Sequence, residues 1–264
     1  MKTHPIVLKS IIATALGLTS ITTLAAATTA APTNAASFSA EQKAQIEQVI
    51  HDYLVTKPEV LIEASKALQQ KQMAEVSNKA KEAITKNAAS LFNAGQAPKF
   101  GNANGDITIV EFLDYQCGHC KTMSPVIAEL IKADPKVQVV IRGLPIFGEA
   151  SKTATKAVIA STKQGTEKFV KFNEALLATN EPLNEKNIFA IAKKSGLDTV
   201  KLKKDMAAKE VEAQVNENFR LAREIGLMGT PAFILAKRDL SKTEFVPGAT
   251  TKEDLSALIV KLRS

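Results

Sequence analysis

With 264 residues, 45% of them hydrophobic, the chain can bury a sizeable core as one large domain or two small ones; it has eleven phenylalanines and no tryptophan. The net charge of +7 is spread along the chain rather than massed in one run, which argues for a solvated surface and against a nucleic-acid-binding face. Only two cysteines are present, both in one C-x-x-C, so no disulfide framework staples the fold.

Residues Met1 to about Ala27 read as a secretory signal peptide. Lys2 and Lys9 give a positive start, Ile11 to Leu24 is a mostly apolar run, and Ala25-Ala26-Ala27 offers a small-residue cleavage site, with Asn34-Ala35-Ala36 as a second choice. The run is short and threonine-containing, which disfavours the alternative of a membrane anchor. A spacer, residues 28–37, leads to Ser39-Ala40-Glu41-Gln42, a capping box. Ile46, Val49, Ile50, Tyr53 and Leu54 then recur on one helical face, with His51 one step off the stripe and solvated. Pro58 breaks or restarts the helix. From there to Phe92 no glycine or proline interrupts a thin apolar stripe through Leu61, Ala64, Leu68, Met73, Val76, Ala80, Ala83, Ile84, Leu91 and Phe92.

One helix of that length would measure about 50 Å at 1.5 Å per residue. A domain of the remaining size should be only about 40 Å across. The stripe at 38–93 therefore predicts a segment that pairs with another copy of the chain rather than a hairpin folded back on its own domain.

Gln96 to Asp106 reads as a linker bearing Gly, Asn and Pro. The run Ile107-Thr108-Ile109-Val110-Glu111-Phe112-Leu113 is a strand buried on both faces, and Met123, Val126, Ile127, Leu130 and Ile131 mark the helix beyond it. Cys117-Gly118-His119-Cys120 falls at the junction, the layout of a redox-active dithiol. There Cys117 meets unpaired backbone N–H groups and the positive end of the macrodipole, both of which favour a thiolate. That dipole supplies only roughly 0.3–2 kcal/mol, so His119, as cation or N–H donor, is expected to add to it. Cys120, one turn deeper, can resolve a mixed disulfide formed at Cys117. Gly118 leaves the surface beside the sulfur open to a polypeptide. Glu111, a carboxyl inside a buried strand, should have a raised pKa and can carry protons for the inner thiol.

Further on, Val137–Ile141 is a second strand. About Ala150–Thr162, Thr166–Ala178, Asn184–Ser195, Asp198–Ala207 and Lys209–Ile225 come next as helices. Gly229 and Pro231 mark a sharp turn into the strand Ala232–Leu235, before a strand Thr243–Val246 and a last helix from about Thr251 to Leu262. No internal repeat and no phosphate-binding glycine loop is present.

The dithiol, the acid six residues before it and the distant Thr230-Pro231 together resemble the exported, DsbA-like branch of the thioredoxin-fold thiol oxidoreductases, from Asn93 to the C-terminus. The resemblance implies an α/β thioredoxin fold over residues 94–264 with a helical subdomain inserted at about 149–226. It also implies a cis Thr230-Pro231 bond presenting backbone to an unfolded substrate, and dimers or trimers where an N-terminal helical segment is added. On this resemblance the protein is expected to be a periplasmic oxidoreductase or isomerase, with Cys117 attacking, Cys120 resolving and His119, Glu111, Thr230 and Pro231 assisting. It needs no cofactor beyond the redox-active Cys117–Cys120 disulfide. Its expected partners are unfolded or misoxidised exported proteins and a DsbB-like or DsbD-like membrane protein that recycles the site, with no nucleic acid. The rival expectation is a copper-binding or chaperone-like dithiol protein without turnover. Two thiolates and His119 could hold a soft ion such as Cu(I), whereas a closed zinc site wants four ligands.

Overall fold

A computed structural model describes residues 38–92 and 97–264; the expected leader and spacer, and the start of the expected linker, lie outside the described residues. The described residues up to Val60 fall in one unit and those from Leu61 in a second. In the first, α1 (Ala40–Thr56) starts at the expected capping box, with the Ser39 hydroxyl accepting from the Gln42 N–H and the Gln42 side chain accepting from the Ser39 N–H. None of its residues is buried, and Ile46, Val49, Ile50 and Tyr53 stand exposed along one face.

The helix after Pro58 is not one rod. α2 (Glu59–Lys86) stops at Asn87 and a single turn re-forms as α3 (Ala88–Phe92). At 28 residues α2 is about 42 Å long. The break is held by tertiary contacts as well as a local one. Asn87 donates its amide to the Ala83 carbonyl and to Glu224, and accepts from Arg220. Chain polarity also changes along α2. Leu61, Ile62 and Leu68 are exposed, whereas Ala80, Ile84, Leu91 and Phe92 are buried against the sheet. The last turns before residue 93 thus belong by packing to the domain that comes after them.

That domain is built on a five-stranded sheet: β1 (Lys99–Gly101), β2 (Ile107–Leu113), β3 (Val137–Gly143), β4 (Ala232–Lys237) and β5 (Thr243–Pro247), in the order β1-β3-β2-β4-β5. Strand β2 runs parallel to β3; the β1–β3, β2–β4 and β4–β5 pairs are antiparallel. The short β1 lies inside the stretch expected to be a linker, where three residues between Pro98 and Asn102 give no periodic signal of their own.

Alternation along β2 explains its unbroken apolar sequence, because both faces are covered. Val110 and Phe112 pack with Val140, Ile234, α2 and α3 and with Leu221 and Ile225 of α9 (Lys209–Ile225). Ile107 and Ile109 pack instead with α4 (Gly118–Ala133) and α10 (Lys252–Arg263). Between β3 and β4 stand α5 (Glu149–Ser161), α6 (Thr166–Ala178), α7 (Glu185–Lys194), α8 (Thr199–Met206) and then α9, the expected helical insertion. Its core of Phe169, Phe172, Leu176, Ile188, Leu202 and Val215 joins Leu113, Tyr115 and Cys120 at the end of the sheet where β2 finishes. The dithiol therefore sits where sheet, α4 and insertion meet.

Candidate active site

Cys117 is the N-cap residue of α4, with extended backbone (φ −71°, ψ 120°) and no side-chain cap to compete with its sulfur. Its N–H donates to the Asp114 carbonyl at 3.0 Å and its own carbonyl accepts from the Lys121 N–H at 3.1 Å. The remaining first-turn N–H groups have no intrahelical partner, so the sulfur stands at the positive end of the helix. A side chain added at Gly118 would meet nothing within 4 Å, so the surface beside Cys117 is open. Cys117 keeps 6% of its surface exposed and Cys120, one turn on, keeps none. Both are free thiols. Burial drives the Cys120 thiol far up in pKa, opposed in part by the nearby Asp114 backbone and Thr230 hydroxyl.

The second half of the site arrives from 113 residues away. The Cys117 thiol donates to the Thr230 carbonyl at 3.2 Å, and the Thr230–Pro231 bond is cis. Beside it lies a cavity of about 190 Å³ lined by Gly226 to Ala232 with Phe245, Pro247 and Gly248, and Met228 on its rim is 98% exposed.

Glu111 is 3% exposed on β2, paired across the sheet with Ile141 and Phe233. Its Oε1 has no hydrogen-bond partner among the described residues, and burial raises its pKa to about 8. His119, expected to support the Cys117 thiolate, lies two residues beyond it. Its side chain is exposed on the first turn of α4 and makes no hydrogen bond to Cys117 among the described residues; only its backbone carbonyl is engaged, accepting from the Thr122 hydroxyl. The atom in contact with the Cys117 sulfur is a carbonyl oxygen, not an imidazole nitrogen. The structure thus brings Cys117, Cys120, Thr230 and Pro231 together, sets Glu111 within the sheet, and leaves His119 facing outward.

Asp114 gave no signal in the sequence. Fully buried three residues before Cys117, it accepts from the Gln116 N–H (2.8 Å) and Ser151 hydroxyl (2.6 Å) on Oδ1, and from the Ile146 (2.8 Å) and Phe147 (3.1 Å) N–H groups on Oδ2. Gln116 adds bonds from its amide to Ser151 and to the Phe147 carbonyl. One carboxyl group thereby ties the turn that carries Cys117 to the β3–α5 loop. Tyr115, also buried, donates to Asn173 of the insertion and has its pKa pushed up by burial, with the nearby carboxyl groups of Glu111 and Asp114 adding to the shift.

Residues 108–260 match the profile of the DsbA-like thioredoxin domain, and residues 42–75 match the N-terminal domain of the copper resistance protein ScsC. A thioredoxin-like oxidoreductase from Silicibacter pomeroyi DSS-3 is 38% identical, with 66% of this chain and 96% of that one covered and a TM-score of 0.61. BcfH of Salmonella enterica Typhimurium is 27% identical over 85% of this chain and 97% of its own, with a TM-score of 0.72. A probable disulfide bond formation protein D of Bacillus anthracis is 24% identical over 59% of this chain and 76% of its length. An Na(+)/H(+) antiporter NhaA 3 of Salinispora tropica is 25% identical over 52% of this chain, which spans about a fifth (21%) of that relative's length. The mixed sheet, the inserted helices, the cis-proline opposite the dithiol and a profile match over more than half of the residues agree: the chain belongs to the DsbA-like thioredoxin-domain family, with an N-terminal segment of the ScsC kind.

Proposed function

We propose that the protein is an exported thiol–disulfide oxidoreductase that forms or rearranges disulfides in unfolded or misoxidised proteins, in the periplasm. The observation that carries this reading is the asymmetry of the two sulfurs. Cys117 reaches the surface at a helix N-terminus, against the Thr230 carbonyl, while Cys120 is sealed beneath it with its thiol held protonated by burial. In the reducing direction the Cys117 thiolate attacks one sulfur of a substrate disulfide; that S–S bond breaks, the departing substrate thiolate takes a proton, and a mixed disulfide forms. Cys120 then loses its proton, with Glu111 as the carboxyl group suited to move it, and attacks the Cys117 sulfur. The substrate leaves as a dithiol and Cys117–Cys120 becomes a disulfide. Oxidation of a substrate runs the same two exchanges backwards. A membrane redox protein of the DsbB or DsbD kind returns the site to its starting state.

The cavity beside Thr230-Pro231 suits an extended substrate segment, with Met228 as an apolar contact. The unburied stripe of α1 supports assembly with further copies, and several dithiols around one cleft favour isomerisation over simple oxidation. Cys117→Ala is expected to abolish dithiol exchange, and Cys120→Ala to accumulate covalent adducts with scrambled ribonuclease. Absence of adducts in the second variant would reject the assigned roles. Recovery of ribonuclease activity from the scrambled form decides direction, since an oxidase alone rescues only the reduced form. A second reading, a Cu(I) site on the two thiolates, draws on the copper-resistance name of the N-terminal match. It requires stoichiometric copper on purification and no turnover.

A further inference from the structure

At the end of the sheet opposite the dithiol lies a cavity of about 340 Å³ whose lining includes Phe92, Lys99, Thr108, Gln138, Arg238 and Leu240. It opens where the helical cover of one sheet face runs out. On that face Thr108 sits directly across from Gln138, which pairs with Gly101 on its other side, so their side chains floor the cavity. Lys99 pairs with Val140, which places it diagonally beside Arg142 on the same face. Arg142 is fully buried, its guanidinium capping the Ser90 and Leu91 carbonyls at the end of α3, with its Nε unpartnered among the described residues. Arg238 enters from the far rim, its backbone N–H held by the Asp106 carbonyl at 2.8 Å.

Two cations, Lys99 and Arg238, thus line one polar hollow whose lining, among the described residues, holds no carboxylate, and the buried Arg142 lies beside it. Asp106 pairs with Arg263, Asp239 with Lys237 and Ser241, and Glu217, the carboxylate that acts on Arg142, with Arg220. Among the described residues neither Lys99 nor Arg238 has a carboxylate partner. Like charges held as diagonal neighbours repel, and the strain registers on Lys99, whose pKa is lowered by burial and by Arg142. Lysine is an ordinary residue on an edge strand such as β1, but Lys99 is half-buried beside a buried arginine, with a hydroxyl and an amide around it, a setting that an anion would satisfy.

We propose that this cavity binds a small multivalent oxyanion of the phosphate class, held by Lys99 and Arg238 with Thr108 and Gln138 as hydrogen-bond donors. The site lies on the order of 20 Å from the dithiol, the length of β2 at about 3.3 Å per residue, and is independent of the oxidoreductase reading. Phe92, the last residue of α3, forms one wall, so an occupant would brace the end of that helix against the sheet.

The test uses the mature chain at low ionic strength, titrated with inorganic phosphate and with pyrophosphate against sodium chloride of equal ionic strength. The expected result is a melting midpoint raised by about 3 °C at ten times Kd with the phosphates and not with chloride. The response should be lost in the Lys99→Gln, Arg238→Gln double variant and kept in Lys193→Gln, Lys204→Gln, which removes the same charge elsewhere. Lys99→Gln alone should melt higher than the parent without phosphate, because the repulsion is gone. Dithiol exchange should be unaffected in all of these variants. No phosphate-specific shift in the parent chain, or an equal shift in the Lys99, Arg238 variant, would overturn the proposal. So would binding to vesicles of anionic phospholipid that free phosphate fails to compete, since that marks a charged surface and not a pocket.

Discussion

Glu111 and Asp114 are carboxyl groups three residues apart, both buried, and their surroundings treat them in opposite ways. Asp114 has four donors on its two oxygens, whereas Glu111 leaves Oε1 bare among apolar neighbours. The cost of ionising Glu111 therefore enters the stability of the protein. The unfolded chain releases that proton near 4.5, the folded chain only near 8. Between those values the native state binds more protons than the unfolded one, so stability falls as pH rises through the window and is flat on either side. By pH 8 the accumulated loss is on the order of 4 kcal/mol. Glu111→Gln should erase that slope. Urea denaturation should find the variant more stable than the parent at pH 8 and equal to it near pH 4.5, while dithiol turnover should fall on the proposed role of Glu111 as proton carrier. A parent chain whose stability does not decline from pH 5 to 8 would contradict this assignment. An acid inside an apolar strand is conspicuous in a sequence. Asp114 is not, because its donors Ile146, Phe147 and Ser151 come from 32 to 37 residues downstream and nothing local separates it from an ordinary turn aspartate.

The elements that place the dithiol are held by few polar ties. β2 ends at Leu113, α4 begins at Gly118, and Asp114 fastens the turn between them to the loop ahead of α5. Removing that carboxylate leaves one buried hydroxyl and three part-buried backbone N–H groups without this acceptor. Each orphaned donor costs about 1–3 kcal/mol, less whatever entering water recovers. Asp114→Ala is thus expected to lose about 3 kcal/mol or more in urea denaturation and to change the alkylation rate of Cys117, whose N–H rests on the Asp114 carbonyl. Asp114→Asn, which keeps one acceptor oxygen, should lose less than half as much. Equal stability in all three proteins would show that the turn is set by packing instead. Long elements with regular apolar spacing, α4, β2, β3 and α9 among them, are legible because burial writes its period into the sequence. The three-residue β1 is not, since its register is imposed by β3. The break at Asn87 is hidden for a related reason, as Glu224 and Arg220 reach it across more than 130 residues.

For the whole molecule the open question is what covers α1. A helix of 17 residues with no buried side chain is marginal alone in water, yet it exposes Ile46, Val49, Ile50 and Tyr53 on one face, a pattern that soluble monomers avoid. A second copy of the same stripe is the simplest cover, since a symmetric interface lets each patch bury the other. Sequence could show that stripe but not the number of copies, which depends on packing between chains and not within one. Ile46→Glu combined with Ile50→Glu separates this from a structural requirement of the single chain. Ile46 is 41% and Ile50 52% exposed, so the change removes little intramolecular burial. Light scattering on the mature protein at micromolar concentration should give a dimer or trimer for the parent and a monomer for the double variant. Alkylation of Cys117 should be equally fast in both. Isomerisation of scrambled ribonuclease should fall in the variant, because two dithiols no longer share a cleft, while oxidation of the reduced substrate persists. A parent chain that is already monomeric would remove the stripe from the argument and leave a single site acting alone.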